Sequence, residues 1–541
     1  MVAPAGGAAP GALRGGRPAK AGIILVTLIA GAIVANVNTS ISNVALPSIG
    51  KALDATNTQL TGITDAYQLG IAATVLYLGA IGDRHGRKKL LLLGAALCVP
   101  FSLLSAFAST PWTLIAAQMA VGVACGMLYP TTLSLITSLW SGPSKTRAIA
   151  LWTGVGTGTS VLGPILGGWL LGQFWWGSVF LITVPIAILV FVLGVIVLPR
   201  HAGETDAPVD HRGGGLSVVL IASFVLGIVL LPQGLTPVVA LLFGTTLVSG
   251  VLFVLRERRA PNPLFDFTAA AIPTFWVAFT VGLIAFGALV GGMFIGQQYT
   301  QNVLGLTPLA AVLLTLGLAF TMIPASLASG ELITAKGTRL PFMLGLAVIA
   351  VGFVEMLLTW QPGASLAWVL IAYMLIGTGI GFASTAAMRS LSLSLPISKA
   401  GMSSGSADLT KDLGGAVFQA LLGTLLAVAY SDYFTKAFTT LPPAEASQLG
   451  SRAAQEIGSS YQGAEAVAAT IPGADATQLI AAAQQAYTDG KMLAIGVAVG
   501  SVLLGLALVW WKYPKVAEER RLFAGIAAEN QSSAAGTAPA P

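Results

Sequence analysis

The feature that most constrains this chain is a succession of fourteen apolar runs, each about 20 residues long. Hydrophobic residues make up 55% of its 541 residues and charged residues only 9%, whereas a soluble domain carries roughly 25% charged residues. Such a chain cannot build a water-facing surface, so its apolar runs must face lipid or each other. Because backbone polar groups in a bilayer need partners within the protein, the expected fold is an all-α polytopic membrane protein.

The predicted membrane spans follow these runs along the whole chain. They cover residues 21–46, 59–82, 88–108, 112–136, 147–173, 175–198, 215–233, 236–255, 273–297, 308–329, 340–360, 365–388, 403–430 and 491–511. An even number of spans places both termini on the same side of the membrane.

The placement of cations selects that side. All but five of the 27 Lys and Arg residues lie in the tails and alternate loops that this topology assigns to the cytoplasm. The exceptions are Lys51, Lys436, Arg452 and Lys491 in outer segments and Lys411 within a span. We therefore predict a multi-pass protein of the plasma (inner) membrane with both termini in the cytoplasm. The net charge of +6 does not indicate nucleic-acid binding, because the cations are spread over short loops.

The loop between the second and third predicted spans reads Gly-Ala-Ile-Gly-Asp-Arg-His-Gly-Arg-Lys-Lys. Its spacing of Gly79, Asp83, Arg84, Gly86 and Arg87 resembles the corresponding loop of the major facilitator superfamily. The resemblance implies that the acid and the cations latch the cytoplasmic ends of neighbouring helices, as part of a transport gate. The alternative is a charge cluster that only sets topology.

A second motif lies in the fifth predicted span. Gly163, Pro164, Gly167 and Gly168 resemble the antiporter motif of the fourteen-span drug:proton antiporter branch of that superfamily. Glycines let neighbouring backbones approach closely, and a proline interrupts the helix where two halves must rock. The alternative is an ordinary glycine-rich packing helix.

The layout of the chain also resembles that branch, since two six-span halves flank an extra pair of spans, for fourteen transmembrane helices in all. The expected domains are a disordered cytoplasmic tail (1–20), an N-terminal six-helix half (21–198), a linker with two extra spans (199–272), a C-terminal six-helix half (273–511) and a cytoplasmic tail (512–541). The C-terminal half includes an Ala-rich outer segment (431–490), expected to form two or three short helices broken near Pro472 and Gly473. The last thirty or so residues have a composition typical of disorder.

Two positions in the N-terminal half depart from the branch. The branch usually has an acid in the first span, where this chain has Asn38, and an arginine in the fourth span, where it has Gln118. Losing both charges together leaves neither ion unpaired in low dielectric. The joint change suggests that this half no longer handles protons by the usual route.

Charge reappears in the thirteenth predicted span as Asp408, Lys411 and Asp412. Spacings of three and four residues place all three side chains on one helix face. Two carboxylates sharing one ammonium carry a net charge of −1, which a bound proton neutralises, and such groups titrate as a coupled unit. We interpret the triplet as a proton-coupling cluster. Alternatively, the span starts later and the triplet is a solvated helix start, where acids are favoured.

Further polar residues lie within other spans. Asp65 stands beside Tyr67 near the outer end of the second span, and with Asn38 and Gln118 these residues are expected to line the substrate path. Glu355 lies near the outer end of the eleventh span, which is also an ordinary place for an acid.

The resemblance implies alternating access between two halves, with amphipathic small molecules or drugs exported in exchange for protons. The expected partners are that substrate, protons and membrane lipid. No Walker loop or nucleophile constellation is found, so we expect no enzyme activity, cofactor, metal, nucleic acid or obligatory protein partner. One alternative is a weakly coupled or uncoupled exporter of a lipid or neutral metabolite. Another is a non-transporting sensor or assembly protein that docks through residues 431–490.

Overall fold

A computed structural model describes most of the chain, and all regular structure within the described part is helical. The described residues are 18, 20–55, 57–140, 142–199, 208–231, 234–395, 400–440, 457–458, 461–470 and 474–536. The chain divides into two compact units, Met1–His211 with Ala400–Gly405, and Arg212–Lys399 with Ser406–Pro541.

The first unit contains seven helical elements among its described residues. They are α1 (Ala21–Leu53), α2 (Asn57–His85), α3 (Arg87–Ala106), α4 (Pro111–Leu139), α5 (Gly142–Gln173), α6 (Ser178–Leu181) and α7 (Thr183–Val197).

The second unit contains the remaining helices. They are α8 (His211–Leu230), α9 (Pro237–Glu257), α10 (Phe267–Ala270), α11 (Pro273–Gln298) with a π-helical extension (Tyr299–Val303), α12 (Pro308–Lys336), α13 (Arg339–Thr359), α14 (Leu366–Leu393), α15 (Ala400–Thr440), α16 (Tyr461–Ala468), α17 (Ala474–Lys512) and α18 (Val516–Gly536). The first residue of α8 and the first six of α15 group with the first unit.

Twelve helical segments within the described residues are long and apolar enough to cross a membrane, with α6 and α7 counted as one. The prediction of an all-α polytopic membrane protein is confirmed. The other two predicted spans coincide with α2 and α5, which are 29 and 32 residues long. The total of fourteen spans stays a prediction.

Three spans begin at the dipeptide Thr-Pro. Thr110, Thr236 and Thr307 precede α4, α9 and α12, and each hydroxyl accepts a hydrogen bond from the backbone N–H three residues later. The proline occupies the first helical position, where a missing N–H costs nothing. These caps fix where the spans start, because the first N–H groups of a helix have no partner within it.

Glycines allow the helices of the first unit to pack backbone against backbone. Helix α2 packs on α4, where a Cβ at Gly122 would overlap the Tyr67 carbonyl oxygen. Helix α3 also packs on α4, where a Cβ at Gly94 would lie 2.7 Å from the Ala124 carbonyl oxygen. Small residues at these contacts are typical of helix pairs in membranes.

In the second unit, α14 packs against α11, α12 and α13. A Cβ at Gly377 would overlap the Leu318 carbonyl oxygen of α12, and a Cβ at Gly379 would lie 2.5 Å from the Gly345 carbonyl oxygen of α13. Glycines two positions apart face opposite sides of the helix, so α14 approaches both neighbours closely.

Large apolar side chains cover the outward faces of the helices. Leu247, Phe320 and Leu504 are 70%, 76% and 72% exposed. Such a surface is stable only against hydrocarbon, so it agrees with a chain that crosses a bilayer.

The Ala-rich outer segment differs from its prediction. Helix α15 continues to Thr440 and α17 begins at Ala474, so the flanking spans extend into residues 431–490. Helix α16 (Tyr461–Ala468) is a separate short helix, as predicted, but the prediction is wrong for the two flanking parts, because alanine-rich sequence favours continuing a helix. Residues 441–456, 459–460 and 471–473, which contain the predicted break, lie outside the described residues.

The C-terminal tail also differs from its prediction. Residues 516–536 form α18, where the composition suggested disorder. The carboxylate of Glu519 is buried and accepts hydrogen bonds from the backbone N–H of Thr338, at 3.0 Å to Oε2, and from the Thr338 hydroxyl. This contact holds the helix to the turn between α12 and α13. Residues 1–17, 19, 200–207 and 537–541 lie outside the described residues.

Candidate functional site

The gate motif lies at the corner between α2 and α3. A single residue, Gly86, separates the two helices with φ 113°, a conformation that favours glycine. Across it, Arg87 Nε donates a hydrogen bond to Asp83 Oδ1 at 2.8 Å. Both side chains are largely buried, with exposed fractions of 6% for Arg87 and 17% for Asp83. The acid and the cation therefore form a specific ion pair that closes the corner.

Two further contacts extend this corner to neighbouring helices. Arg87 Nη1 donates to the Ser134 carbonyl oxygen of α4 at 3.4 Å. Lys88 Nζ donates to the carbonyl oxygens of Val195 at 2.9 Å and Leu198 at 2.6 Å, at the C-terminal end of α7. A cation at a helix C-terminus is stabilised by the unpaired carbonyls there. The corner thus links α2, α3, α4 and α7.

The other members of the motif are placed differently. Gly79 is half-buried, with no neighbouring atom within 4 Å of where its Cβ would be. Arg84 is half-buried on the last turn of α2. Gly82 was not predicted to matter, but a Cβ there would lie 3.0 Å from Leu90 Cδ2, so α2 and α3 approach closely at this glycine. Its position immediately before Asp83 of the motif is the sequence feature that could have indicated it.

Two of the predicted path residues lie at the contact between α1 and α2. Asn38 is buried on α1, and its Nδ2 donates to the Val34 carbonyl oxygen at 3.0 Å, while its Oδ1 has no hydrogen-bond partner among the described side chains and backbone. Tyr67 is buried on α2, and its hydroxyl donates to the Ala35 carbonyl oxygen at 2.7 Å. Tyr67 therefore joins α2 to α1 within a few residues of Asn38.

The other two path residues stand apart from that contact. Gln118 of α4 is fully buried, and its Nε2 donates to Ser105 Oγ of α3 at 3.0 Å, while its Oε1 has no hydrogen-bond partner in the described residues. Asp65 is half-buried on α2, two residues before Tyr67. Residues two apart on a helix do not face each other, so Asp65 points away from the Tyr67 contact with α1.

The predicted antiporter motif lies in α5, which packs on α1. A Cβ at Gly167 would lie 2.7 Å from Ile41 Cγ1, so the two helices approach closely at this glycine. Gly163 is buried and Gly168 is half-buried. The side chain of Pro164 lies outside the described residues.

The charged triplet lies on α15, which begins at Ala400, several residues before it. Asp408 is buried, with 1% of its surface exposed, and its Oδ2 has no hydrogen-bond partner among the residues that the structure describes. Lys411 and Asp412 are half-buried. A solvated helix start does not describe Asp408, which lies inside the protein.

Glycine packing against α11 holds this part of α15 in place. Gly282 of α11 faces Thr410, whose Oγ1 would lie 3.2 Å from a Cβ at that glycine. A Cβ at Gly414 would overlap the Leu283 carbonyl oxygen. The triplet is thus carried on a helix segment that cannot shift away from α11 without losing this close contact.

A family model of the Major Facilitator Superfamily matches residues 28–419. The chain belongs to the Major Facilitator Superfamily. It is 33% identical over 498 residues to the multidrug efflux pump LfrA of Mycolicibacterium smegmatis, covering 91% of this chain and 96% of that protein. It is 30% identical over 508 residues to the methyl viologen resistance protein SmvA of Salmonella typhimurium, covering 90% of this chain and 97% of that protein.

Structural similarity supports the same fold. A crystal structure of the peptide transporter POT in complex with sulfate matches with a TM-score of 0.57 at 14% sequence identity, covering 92% of this chain and 95% of that one. This likeness shows the fold alone. Membership of the Major Facilitator Superfamily confirms the family predicted from the gate and antiporter motifs, and it makes the chain a transporter rather than an enzyme. The roles of the individual side chains in transport stay predictions.

Proposed function

We propose that this superfamily member is a secondary exporter of amphipathic small molecules, including drugs, that works by alternating access in exchange for protons. It would lie in the plasma (inner) membrane with both termini in the cytoplasm, as the placement of its cations predicts. The substrate class rests on LfrA and SmvA, which are named for multidrug efflux and methyl viologen resistance and match over at least 90% of this chain.

The observation that carries proton exchange is the buried Asp408. Its Oδ2 has no hydrogen-bond partner within the described ranges, and Lys411 and Asp412 follow on the same helix face. With all three groups ionised the cluster carries a net charge of −1. Either a proton or a cationic substrate can neutralise that charge, and two ligands that compete for one charge are exchanged rather than carried together.

A second candidate function is favoured by Asn38 and Gln118. Both are buried amides at positions where the branch that the chain resembles has an acid and an arginine. The side-chain carbonyl oxygen of each has no hydrogen-bond partner in the described part of the chain. A neutral path through the first unit suits a lipid or neutral metabolite that moves with weak proton coupling or none. Proton flux distinguishes the two functions.

The test uses purified protein in proteoliposomes, with ethidium as an amphipathic cation and a pH dye in the lumen. It compares the native protein with Asp408→Asn and Asp412→Asn. The control is Asp432→Asn, which changes an exposed acid on the same helix. We expect ethidium to drive proton flux in the native protein and the control. Both cluster variants should lose that flux while still letting ethidium move down its gradient.

Three other results would count against the proposal. Ethidium movement without proton flux in the native protein would favour the uncoupled exporter. An ionophore that collapses the proton gradient and leaves concentrative efflux unchanged would do the same. If no amphiphile is moved by protein that is folded by its melting curve, drug export is wrong.

A further inference from the structure

The second unit contains a buried lysine at the position where the sequence predicts the outer end of the last span. Lys491 lies within α17, and its side chain is fully buried. Its ammonium donates a hydrogen bond to the Trp360 carbonyl oxygen, where α13 ends. It also lies 5.2 Å from the centroid of the Tyr299 ring. A lysine inside a membrane helix is costly and marks a functional position by default.

Aromatic side chains from three other helices surround this ammonium. Trp360 stacks on Tyr299 with centroids 4.7 Å apart and 19° between the planes, and Tyr373 of α14 meets Trp360 edge-on at 6.0 Å. The Tyr299 hydroxyl donates to the Gln361 carbonyl oxygen at 2.7 Å. Tyr487 of α17 donates to the Ile295 carbonyl oxygen of α11 at 2.9 Å. The ends of α11 and α13 are thereby fastened to α14 and α17.

Glu355 completes the cluster one turn before the end of α13. Its Oε1 accepts a hydrogen bond from the Thr359 hydroxyl at 2.6 Å, and its Oε2 is buried with no hydrogen-bond partner in the part of the chain that the structure describes. Trp360, whose carbonyl oxygen accepts the hydrogen bond from Lys491, follows Glu355 by five residues at the end of α13. Asp489 precedes Lys491 by two residues on α17 and is exposed, so the cluster lies close to the aqueous surface.

Among the described residues, two buried donors in the same cluster also have no hydrogen-bond partner. They are Trp360 Nε1 and the Tyr373 hydroxyl, and both side chains are fully buried. A cluster that only held helix ends together would not need a buried carboxylate, a buried ammonium and two buried donors that make no hydrogen bond within the described residues. Neutral residues of similar size would do this at lower desolvation cost.

We propose that Glu355 Oε2 is a second proton-accepting site of the transport cycle, at the end of α13 that the cation pattern assigns to the outside. A proton from the outer solution binds at Oε2, which turns the carboxylate into a carboxylic acid, and the same proton leaves when the carboxylate is restored. Lys491 is a positioning residue, which holds the end of α13 and supplies the counter-charge. This inference rests on the proposed proton-coupled export.

The position of the cluster relative to the α15 triplet fits this assignment. A Cβ at Gly490, beside Lys491, would lie 3.0 Å from the Leu426 carbonyl oxygen of α15. Leu426 lies on the same helix as Asp408, about 27 Å further along at 1.5 Å per residue. Asp408 and the contact of α15 with α17 are therefore separated along α15 by nearly the thickness of a hydrocarbon core, as an inner and an outer site of one proton route would be.

The direct test follows the carboxyl group rather than transport alone. Infrared difference spectra between acidic and alkaline pH are recorded for purified native protein and for Glu355→Gln, in the carboxylic C=O stretching region. The matched control is Glu331→Gln, which changes an exposed glutamate on α12. We expect Glu355→Gln alone to lose one carboxylic band, and Glu355→Asp to restore it. Ethidium-driven proton flux in proteoliposomes should fall by about tenfold or more in Glu355→Gln.

Lys491→Gln tests the positioning role, because glutamine can still donate to the Trp360 carbonyl but carries no charge. A counter-charge role predicts that the pH at which the Glu355 band appears changes, whereas a merely structural lysine would leave that pH as it is in the native protein. Melting curves show whether each variant is folded.

The inference is overturned if the spectra of folded Glu355→Gln match those of the native protein. It is also overturned if the band is lost but proton flux and its pH profile stay native. Flux lost in Asp408→Asn but kept in Glu355→Gln would remove only this inference. Absence of proton flux in the native protein would remove the proposed coupling itself.

Discussion

The ion pair at the α2–α3 corner can be tested by a double-mutant cycle with Asp83→Asn, Arg87→Gln and the double variant. The bond from Arg87 Nε to Asp83 Oδ1 is 2.8 Å long, and the side chains are only 6% and 17% exposed. A hydrogen bond between charged groups contributes about 1.5–3 kcal/mol. Removing one partner of a buried pair costs about 3–5 kcal/mol, because the other charge is left without compensation. We therefore expect a coupling energy of about 2 kcal/mol.

The chain offers a matched control on α15. Asp432 and Lys436 have the same order and spacing of acid and base, and their N–O distance of 2.6 Å is shorter. Their side chains are 57% and 75% exposed, so solvent screens the pair. For the cycle with Asp432→Asn and Lys436→Gln we expect a coupling energy of only about 0.3–0.5 kcal/mol. Burial, and not distance, should decide which pair stabilises the protein.

The assay is chemical unfolding of the purified proteins in mixed micelles, with the free energy of unfolding measured for each member of both cycles. Ethidium efflux from proteoliposomes is measured in parallel. Asp83→Asn and Arg87→Gln should each lower the efflux rate, and the double variant should be less destabilised than the sum of the two. A coupling energy for Asp83 and Arg87 no larger than that of the exposed pair would refute this reasoning.

Two further predictions concern helix packing in the first unit. Gly122→Ala should lower the free energy of unfolding by about 1–3 kcal/mol, because the added Cβ would overlap the Tyr67 carbonyl oxygen. The control is Gly172→Ala, which has open space around it and should melt like the native protein. Equal melting of the two would contradict the close approach of α2 and α4. Tyr67→Phe should lower the free energy of unfolding by about 0.6–1 kcal/mol, because it removes the 2.7 Å hydrogen bond from the Tyr67 hydroxyl to the Ala35 carbonyl oxygen. An unchanged unfolding curve would show that this hydrogen bond does not stabilise the protein.

The spans could be predicted from the sequence because hydrocarbon leaves the backbone so few alternatives. The predicted span 340–360 corresponds to α13 at Arg339–Thr359, and the predicted span 112–136 to α4 at Pro111–Leu139. The prediction failed where helices leave the bilayer. The first residues of α17 are polar, so hydropathy placed the start of that span at Lys491, whereas helix propensity continues the helix back to Ala474.

For the candidate sites, contacts between residues close in sequence could be predicted, and contacts between distant residues could not. The Asp83–Arg87 pair is local, so its spacing was enough to predict that the two charges act together. The contacts of Lys88 with the end of α7 and of Arg87 with Ser134 join residues far apart in the chain, and no local pattern encodes them. Likewise, nothing in the sequence near Glu355 indicates that Lys491 bonds to the end of the same helix, because this contact arises only when α13 packs on α17.

The placement of ionisable side chains suggests that the two units take different parts in the proposed proton exchange. In the first unit, Asn38 and Gln118 are uncharged amides, and each donates a hydrogen bond, to α1 and α3 respectively. In the second unit, Asp408 and Glu355 each keep a carboxylate oxygen that has no hydrogen-bond partner among the described residues. An amide cannot gain or lose a proton near neutral pH, whereas a carboxylate can. If the protein exchanges protons, the second unit must therefore supply most of the titrating groups, with Asp65 as the acid that the first unit retains within a span.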